Sequence, residues 1–222
     1  MIARALAAGV ETILIPGVDL AQWGRAASLK SEAVRLRFAA GVHPESDGDD
    51  LAALEGWLDR LGACAVGELG WDARHGDLDR QSELADAQLE LARARDLPVI
   101  LHVVRAHGLA LERLARHAPL SGVVHGYSGA AELVPRYLAL GLSLSFGPSV
   151  TRPRARKAQE AARRVPLDRL LVETDAPDQR VSGDRGEPAE LAQVIEALAS
   201  LRGETAEAIA RATTDNARRL FG

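Results

Sequence analysis

The stretch PVILHVV, residues 98–104, is a short unbroken apolar run that opens with a proline and carries a histidine near its end. Strands that are half exposed alternate between apolar and polar residues, and this one does not. Continuous apolar runs are typical of parallel strands that have helices on one face and a core on the other. The stretch therefore predicts a buried strand in an α/β fold.

The same pattern recurs along the chain. Seven segments have it and are predicted as buried strands, namely 12–17, 36–44, 64–72, 98–104, 122–129, 142–147 and 170–177. Segments rich in Ala, Leu, Arg and Glu, with apolar residues three and four apart, predict helices at 49–62, 80–96, 109–118, 131–141, 155–165, 187–203 and 205–222. Because neither a linker nor a low-complexity segment interrupts this alternation, we expect one domain over residues 1–222.

Composition limits the class of protein. The 222 residues are 47% hydrophobic and 26% charged, which is typical of a folded globular chain. A net charge of −4 argues against a protein that coats nucleic acid, although it allows a local basic patch. Cys64 is the one cysteine and lies in an apolar run, which favours a small buried side chain. With neither a secretion signal nor an apolar run long enough to cross a membrane, we expect a cytoplasmic protein without a membrane or obligate protein partner.

Polar side chains stand at or near the ends of five predicted strands: His43, Glu68, His102, His125 and Asp175. This distribution favours a (β/α)₈ barrel over an open doubly wound sheet, because a barrel builds its site from all the strand ends on one face. Taken alone, each histidine is more often a structural residue, and each carboxylate more often a helix cap. Two imidazoles and two carboxylates on four strands, however, are the ligand chemistry of a hydrolytic zinc, manganese or magnesium site.

Six motifs, in order along the chain, resemble the TatD family of metal-dependent hydrolases. They are GVHPES (41–46), VGELGWD (66–72), ILHVVRAH (100–107), VVHGYSG (123–129), LVETDAP (171–177) and NARRLFG (216–222). The resemblance implies a TIM-type barrel, up to two divalent ions (Zn, Mg or Mn), and hydrolysis of phosphodiester bonds in DNA or in a smaller phosphodiester. Enzymes of this family often act as deoxyribonucleases.

The resemblance also implies roles for the residues that match these motifs. Glu68 would bridge two metal ions, His102 and His125 would hold the second ion, and Asp175 would bind the first. Glu68 and Asp175 would be the catalytic residues, with Asp175 accepting a proton from the water that attacks phosphorus.

Supporting residues have two interpretations each. His43 is expected to contact the substrate phosphate or to be a structural histidine. Asp72 and Glu173 would either orient histidine ligands or cap helices. Arg105 and Arg152 are expected to bind phosphate groups, with a solvated loop or helix start as the alternative.

The start of the chain departs from the family pattern. Residues 1–9, MIARALAAG, predict a short helix closed by a glycine, where the family has a first strand with a His-x-His motif before that helix. We therefore expect seven strands, with the first strand missing and a gap between 12–17 and 170–177. Two other functions stay open, namely a metallohydrolase acting on an amide, lactone or other phosphoester, and a catalytically impaired barrel that binds metal.

Overall fold

The computed structural model describes residues 1–46 and 50–222 of the chain. Strands and helices alternate through them. The strands are β1 (Thr12–Ile15), β2 (Arg35–Phe38), β3 (Val66–Asp72), β4 (Val99–Val104), β5 (Gly122–Val124), β6 (Leu142–Phe146) and β7 (Leu170–Val172). The α-helices are α1 (Ile2–Ala7), α2 (Leu20–Ala26), α3 (Leu51–Leu61), α4 (Leu78–Ala94), α5 (His107–Leu114), α6 (Val134–Ala139), α7 (Arg156–Arg164), α8 (Leu191–Arg202) and α9 (Ala206–Phe221). Four short 3₁₀ helices accompany them, at Ala131–Leu133, Pro148–Thr151, Leu167–Arg169 and Pro188–Glu190.

Every strand pairing is parallel. β1 pairs with β2, and β3 to β7 form a second sheet in chain order. A parallel bridge between Ala40 and Val66 connects the two sheets, and the amide of Gly67 donates to the carbonyl of Ala40 at 2.8 Å. The predicted α/β fold with a parallel sheet is therefore confirmed. In the described part of the chain β1 and β7 do not pair, and the gap lies where the sequence predicted it.

The strands are shorter than the predicted segments, because the chain turns where the polar side chains begin. The segment 122–129 forms a strand only to Val124, and Gly126 has a φ of 52°. The segment 170–177 is a strand only to Val172, and Asp175 has a φ of 51°. Backbone in this left-handed region cannot continue a strand. These polar residues therefore lie on turns at the rim.

Some helices begin at other residues than predicted, as α4 does at Leu78, and one helix was not predicted. The predicted helix 49–62 corresponds to α3, and its first position lies outside the described residues. Helix α2 was not predicted, because its seven residues are few for a helical pattern and include Gly24. Its start is fixed by Asp19, whose side chain accepts a hydrogen bond from the amide of Gln22 at 2.6 Å.

The interior has two parts, a large apolar layer between strands and helices and a smaller cluster inside the ring of strands. The smaller cluster contains Ala39, Ala65, Ile100, Val123 and Leu171, with Leu14, Ala217, Leu220 and Phe221 packed against it. The end of α9 thus covers the inside of the ring. Cys64 is buried, as predicted. Among the described residues, none of the helices has the length and apolar character that crossing a membrane requires.

Candidate metal centre

Four side chains meet at the carboxyl ends of the strands: Glu68 in β3, His102 in β4, His125 directly after β5, and Asp175 shortly after β7. Parallel strands end at one rim, so residues far apart in sequence converge there. Gly70 allows β3 and β4 to approach closely. A Cβ at Gly70 would lie 2.2 Å from the carbonyl oxygen of His102, and the backbone of Gly70 has a φ of +139°.

Three of the donor atoms form a compact triangle. Oε2 of Glu68 lies 3.0 Å from Nε2 of His125 and 3.7 Å from Nδ1 of His102, and these two ring nitrogens are 3.1 Å apart. Ligands at ordinary Zn–N and Zn–O distances on one tetrahedral ion are separated by about 3.4 Å. The two imidazoles and the carboxylate therefore fit a divalent cation.

Further donors extend the centre on both sides of Glu68. Donor atoms of Glu68, His125 and Asp175 lie within 4.8 Å of one another, and so do those of His43, Glu68 and His102. Nε2 of His43 is 3.9 Å from Oε2 of Glu68. Glu68 is shared by both groups, which is the position that the resemblance implies for a bridging ligand.

A carboxylate stands behind each of the two histidines. Nε2 of His102, on the far side of its ring from Glu68, lies 3.2 Å from Oδ2 of Asp72. Nδ1 of His125 lies 3.5 Å from Oε1 of Glu173, which also accepts a hydrogen bond from the amide of Gly126 at 2.7 Å. Carboxylates in this place fix the orientation of metal-binding imidazoles. The geometry thus favours the orienting interpretation of Asp72 and Glu173 over helix capping.

The charges of the centre are strongly coupled. Burial raises the pKa of the Glu68 carboxyl, but the His125 and His102 imidazoles outweigh burial and hold this pKa below its ordinary value. Burial lowers the pKa of His125, but Glu68 and Glu173 outweigh it and raise this pKa well above its ordinary value. A proton on His125 thus balances the negative charge of two carboxylates, which is the role that a bound cation would have.

Two neighbouring groups are held in defined protonation states. Burial and, to a smaller extent, the adjacent His102 lower the pKa of His43 to about 4. Burial raises the pKa of Asp72, but hydrogen bonds from Arg74 outweigh it and keep this pKa below its ordinary value. His43 is therefore neutral and Asp72 ionised at neutral pH.

Asp175 has a distinct environment. Burial raises the pKa of its carboxyl, and Nε2 of Gln179 donates a hydrogen bond to its Oδ2 at 2.8 Å. Its φ of 51° lies in the left-handed region, which short polar residues tolerate best. A residue held in such a conformation is fixed by its surroundings, and this is common at functional sites.

The sequence did not reveal two glutamines of α4 that hold the backbone of the site. Gln88 is buried, accepts from the amide of Val42 at 2.7 Å and donates to its carbonyl at 3.1 Å, next to His43. Gln81 accepts from the amide of Asp72 at 2.8 Å. One signal was present in the sequence. Gln81 and Gln88 are seven residues apart, so their side-chain amides lie on the same face of a helix, and that face packs against strands.

A wide cavity of about 2010 Å³ connects the centre with the gap between β1 and β7, and its lining includes His43 and Asp175. Arg105 lines a second cavity beside the first. Arg152 is exposed after the 3₁₀ helix Pro148–Thr151 and lies outside the lining of both cavities. The phosphate-binding roles of Arg105 and Arg152 stay predictions.

Comparison with known proteins shows similarity along the whole chain. The family model of TatD related DNase matches residues 1–222. The uncharacterised metal-dependent hydrolase YjjV of Escherichia coli K12 is 40% identical over 230 residues, covering 98% of this chain and 89% of its own. A protein of Erwinia billingiae named 3'-5' ssDNA/RNA exonuclease TatD is 34% identical over 238 residues, covering 100% of this chain and 91% of its own.

The fold agrees as well. The crystal structure of E. coli YjjV superposes with a TM-score of 0.90 at 36% identity, covering 99% of this chain and 90% of that one. A hydrolase of the same family from Entamoeba histolytica gives a TM-score of 0.84 at 19% identity, with 99% of this chain and 87% of that one covered. The arrangement of strands and helices is thus that of these barrel proteins.

Proposed function

Because this chain belongs to the TatD family of metal-dependent hydrolases, we propose that it hydrolyses phosphodiester bonds in single-stranded DNA. The family membership makes it a hydrolase that acts on ester bonds. The observation that carries the proposed substrate class is the pairing of a metal-type donor triangle with a neighbouring half-buried carboxylate, Asp175. A relative named as an exonuclease of single-stranded DNA and RNA supports the choice.

The chain's own residues would hold up to two divalent ions that share Glu68. His102 and His125 supply one side of the centre and Asp175 the other, while His43 is close enough to serve as a further donor. When bound, a divalent cation lowers the pKa of water and offsets charge that develops on the phosphoryl oxygens. The carboxylates behind the two imidazoles set the direction in which their lone pairs point.

Asp175 is the proposed proton acceptor. Gln179 occupies Oδ2, which leaves Oδ1 for the proton of the attacking water. An ionised carboxylate within reach of the attacking water can accept its proton.

His43 is proposed to bind the substrate phosphate. Its Nδ1 accepts a hydrogen bond from the amide of Glu45 at 3.2 Å, so in the neutral ring the proton is on Nε2, the atom on the side of Glu68. Nε2–H can donate to a phosphoryl oxygen while the ring adds no charge. His43 cannot bind a metal ion through Nε2 at the same time, because that role requires Nε2 without its proton. In both roles Nε2 is the atom that faces the centre.

A substrate panel tests the proposed function. The protein is stripped with a chelator, reloaded with Mg²⁺, Mn²⁺ or Zn²⁺, and offered end-labelled single-stranded DNA, single-stranded RNA, an aryl lactone and an acyl amide. We expect release of nucleotides from DNA that disappears on stripping and returns on reloading. Turnover of the lactone or amide with intact DNA would overturn the proposal in favour of another metallohydrolase.

The measured metal content separates a weakly active barrel from a full enzyme. Plasma emission spectroscopy of the reloaded protein gives the number of ions per chain, and the same sample gives the rate. Two bound ions with DNA cleavage support the proposal. Bound metal without turnover of any substrate would point instead to the impaired barrel.

A further inference from the structure

A second cavity of about 460 Å³ lies beside the metal centre on the same rim. It shares Arg74, Val104 and Ser128 with the wide cavity that contains the metal-type donors, so the two cavities adjoin. Arg105, His107 and Lys157 complete most of its wall. A chain of linked phosphates that enters the metal centre can therefore extend into this second cavity.

The wall of the second cavity is cationic. Arg74 follows β3, Arg105 follows β4, and Lys157 is in the first turn of α7, so three separate elements each contribute one positive charge. Acidic side chains are absent from the described lining. Positive charges that have no carboxylate partner repel one another when they share a cavity, and an anion between them relieves the repulsion.

Two of the three cations are uncommitted. Arg74 forms an ion pair with the buried Asp72. Within residues 1–46 and 50–222, by contrast, neither Arg105 nor Lys157 forms an ion pair. Because the whole chain carries a net charge of −4, this positive pocket is a local feature rather than a general basic surface.

The backbone at Arg105 supports a functional reason for the cluster. Its φ of 54° lies in the left-handed region, which costs a residue with a Cβ about 1 kcal/mol or more. A glycine at this turn between β4 and α5 would avoid that cost. The hydroxyl of Ser128, on an exposed residue of the wall, adds a hydrogen-bond donor for an oxyanion.

We propose, on the basis of the proposed function, that this pocket binds the phosphate of the nucleotide next to the cleaved linkage. Arg105 and Lys157 supply the charge that holds it, and Ser128 supplies a hydrogen bond. The protein then favours oligonucleotides over substrates with a single phosphodiester, because only a longer chain fills both cavities at once.

The kinetic test compares d(TpT), which has one phosphodiester, with d(TpTpT), which has two. For the wild type we expect kcat/KM to be about tenfold higher on d(TpTpT), as one charge-assisted contact is expected to contribute. Arg105→Met and Lys157→Met should each reduce this preference by about three- to tenfold, mainly through KM. A preference that is the same in both variants and the wild type would overturn the proposal.

Two control variants remove a positive charge at the other end of the strands. The two variants are Lys30→Met and Arg93→Met. Lys30 lies between α2 and β2, and Arg93 lies in the last turn of α4, just before β4 begins. Both residues are exposed, so both variants should fold. Both control variants should keep the wild-type preference for d(TpTpT) over d(TpT). If they lose as much of this preference as Lys157→Met does, the effect is one of overall charge, and the pocket proposal is contradicted.

A binding measurement separates failure of this pocket from failure of the proposed function. Fluorescence anisotropy follows a labelled five-nucleotide DNA on the metal-free protein at several salt concentrations. Each pocket variant should weaken binding and reduce the slope of log K against log [salt] by about one, as one lost phosphate contact predicts. If the wild type cleaves neither d(TpT) nor d(TpTpT), the proposed function fails. If the pocket variants show the same slope of log K against log [salt] as the wild type, the phosphate pocket is wrong, whether or not the wild type cleaves DNA.

Discussion

Oδ2 of Asp72 lies 3.2 Å from Nε2 of His102, on the side of the ring that faces away from Glu68. Asp72 is fully buried and ionised, because hydrogen bonds from Arg74 outweigh the effect of burial on its pKa. A buried carboxylate at this position keeps the ring proton of His102 on Nε2. The lone pair of Nδ1 is then free to bind a cation. We therefore expect metal binding at this centre to depend on Asp72, which lies behind the imidazole of His102.

Asp72→Asn should lower the affinity for a divalent ion by about 10- to 100-fold, because the amide no longer orients and polarises the imidazole of His102. Competition with a chromogenic chelator measures the affinity. Asp168→Asn is the matched control, since Asp168 is exposed at the opposite end of β7. Equal affinities in wild type and Asp72→Asn would show that Asp72 has no orienting role.

Gly70→Ala should lower the free energy of unfolding by at least about 2 kcal/mol, because the new Cβ would lie 2.2 Å from the carbonyl oxygen of His102 at an unfavourable φ. Gly56→Ala, in the exposed middle of α3 with open space around the added Cβ, should raise it by about 0.5–1 kcal/mol. Urea denaturation measures both. Similar effects of the two substitutions would refute the close approach of β3 and β4.

His107 should make stability depend on pH. Burial lowers the pKa of His107 to about 4 in the folded chain, against an ordinary value of 6.5 for a free side chain. As the pH falls, His107 is therefore protonated in the unfolded chain before it is protonated in the folded chain. The stability that the neutral His107 ring contributes above pH 6.5 is lost as the pH falls toward 4.

His107→Gln removes this titration. Between pH 7 and pH 4 the wild type should lose roughly 1–2 kcal/mol more of its free energy of unfolding than the variant. Urea denaturation at both pH values gives the difference. His117→Gln serves as the comparison, because His117 lies at the other end of α5, near Asp86. If the wild type and His107→Gln lose the same free energy of unfolding between pH 7 and pH 4, His107 is not a buried neutral ring in the folded chain.

The sequence predicted the strands and the main donors because both have strong local signals. An apolar run such as 98–104 is a strand in any parallel sheet, and the rule that parallel strands end at one rim brings Glu68, His102 and His125 together without further information. The match to family motifs then added their order along the chain. What could be predicted was thus the fold and the identity of the residues at its rim.

Contacts between distant parts of the chain could not be predicted. Gln88 holds the backbone of Val42, which is 46 positions earlier, and nothing in either segment encodes that pairing. Arg105 and Lys157, 52 positions apart, line the same cavity. The family motifs likewise contain neither of these relationships, so they required three-dimensional structure.

We propose that this chain hydrolyses phosphodiester bonds at a metal centre, with Asp175 as the proton acceptor. The most direct measurement is the rate at which Asp175→Asn cleaves end-labelled single-stranded DNA, compared with wild type at equal bound metal. We predict a loss of about 10²-fold or more, because an amide cannot accept the proton. A rate equal to that of the wild type would contradict the account.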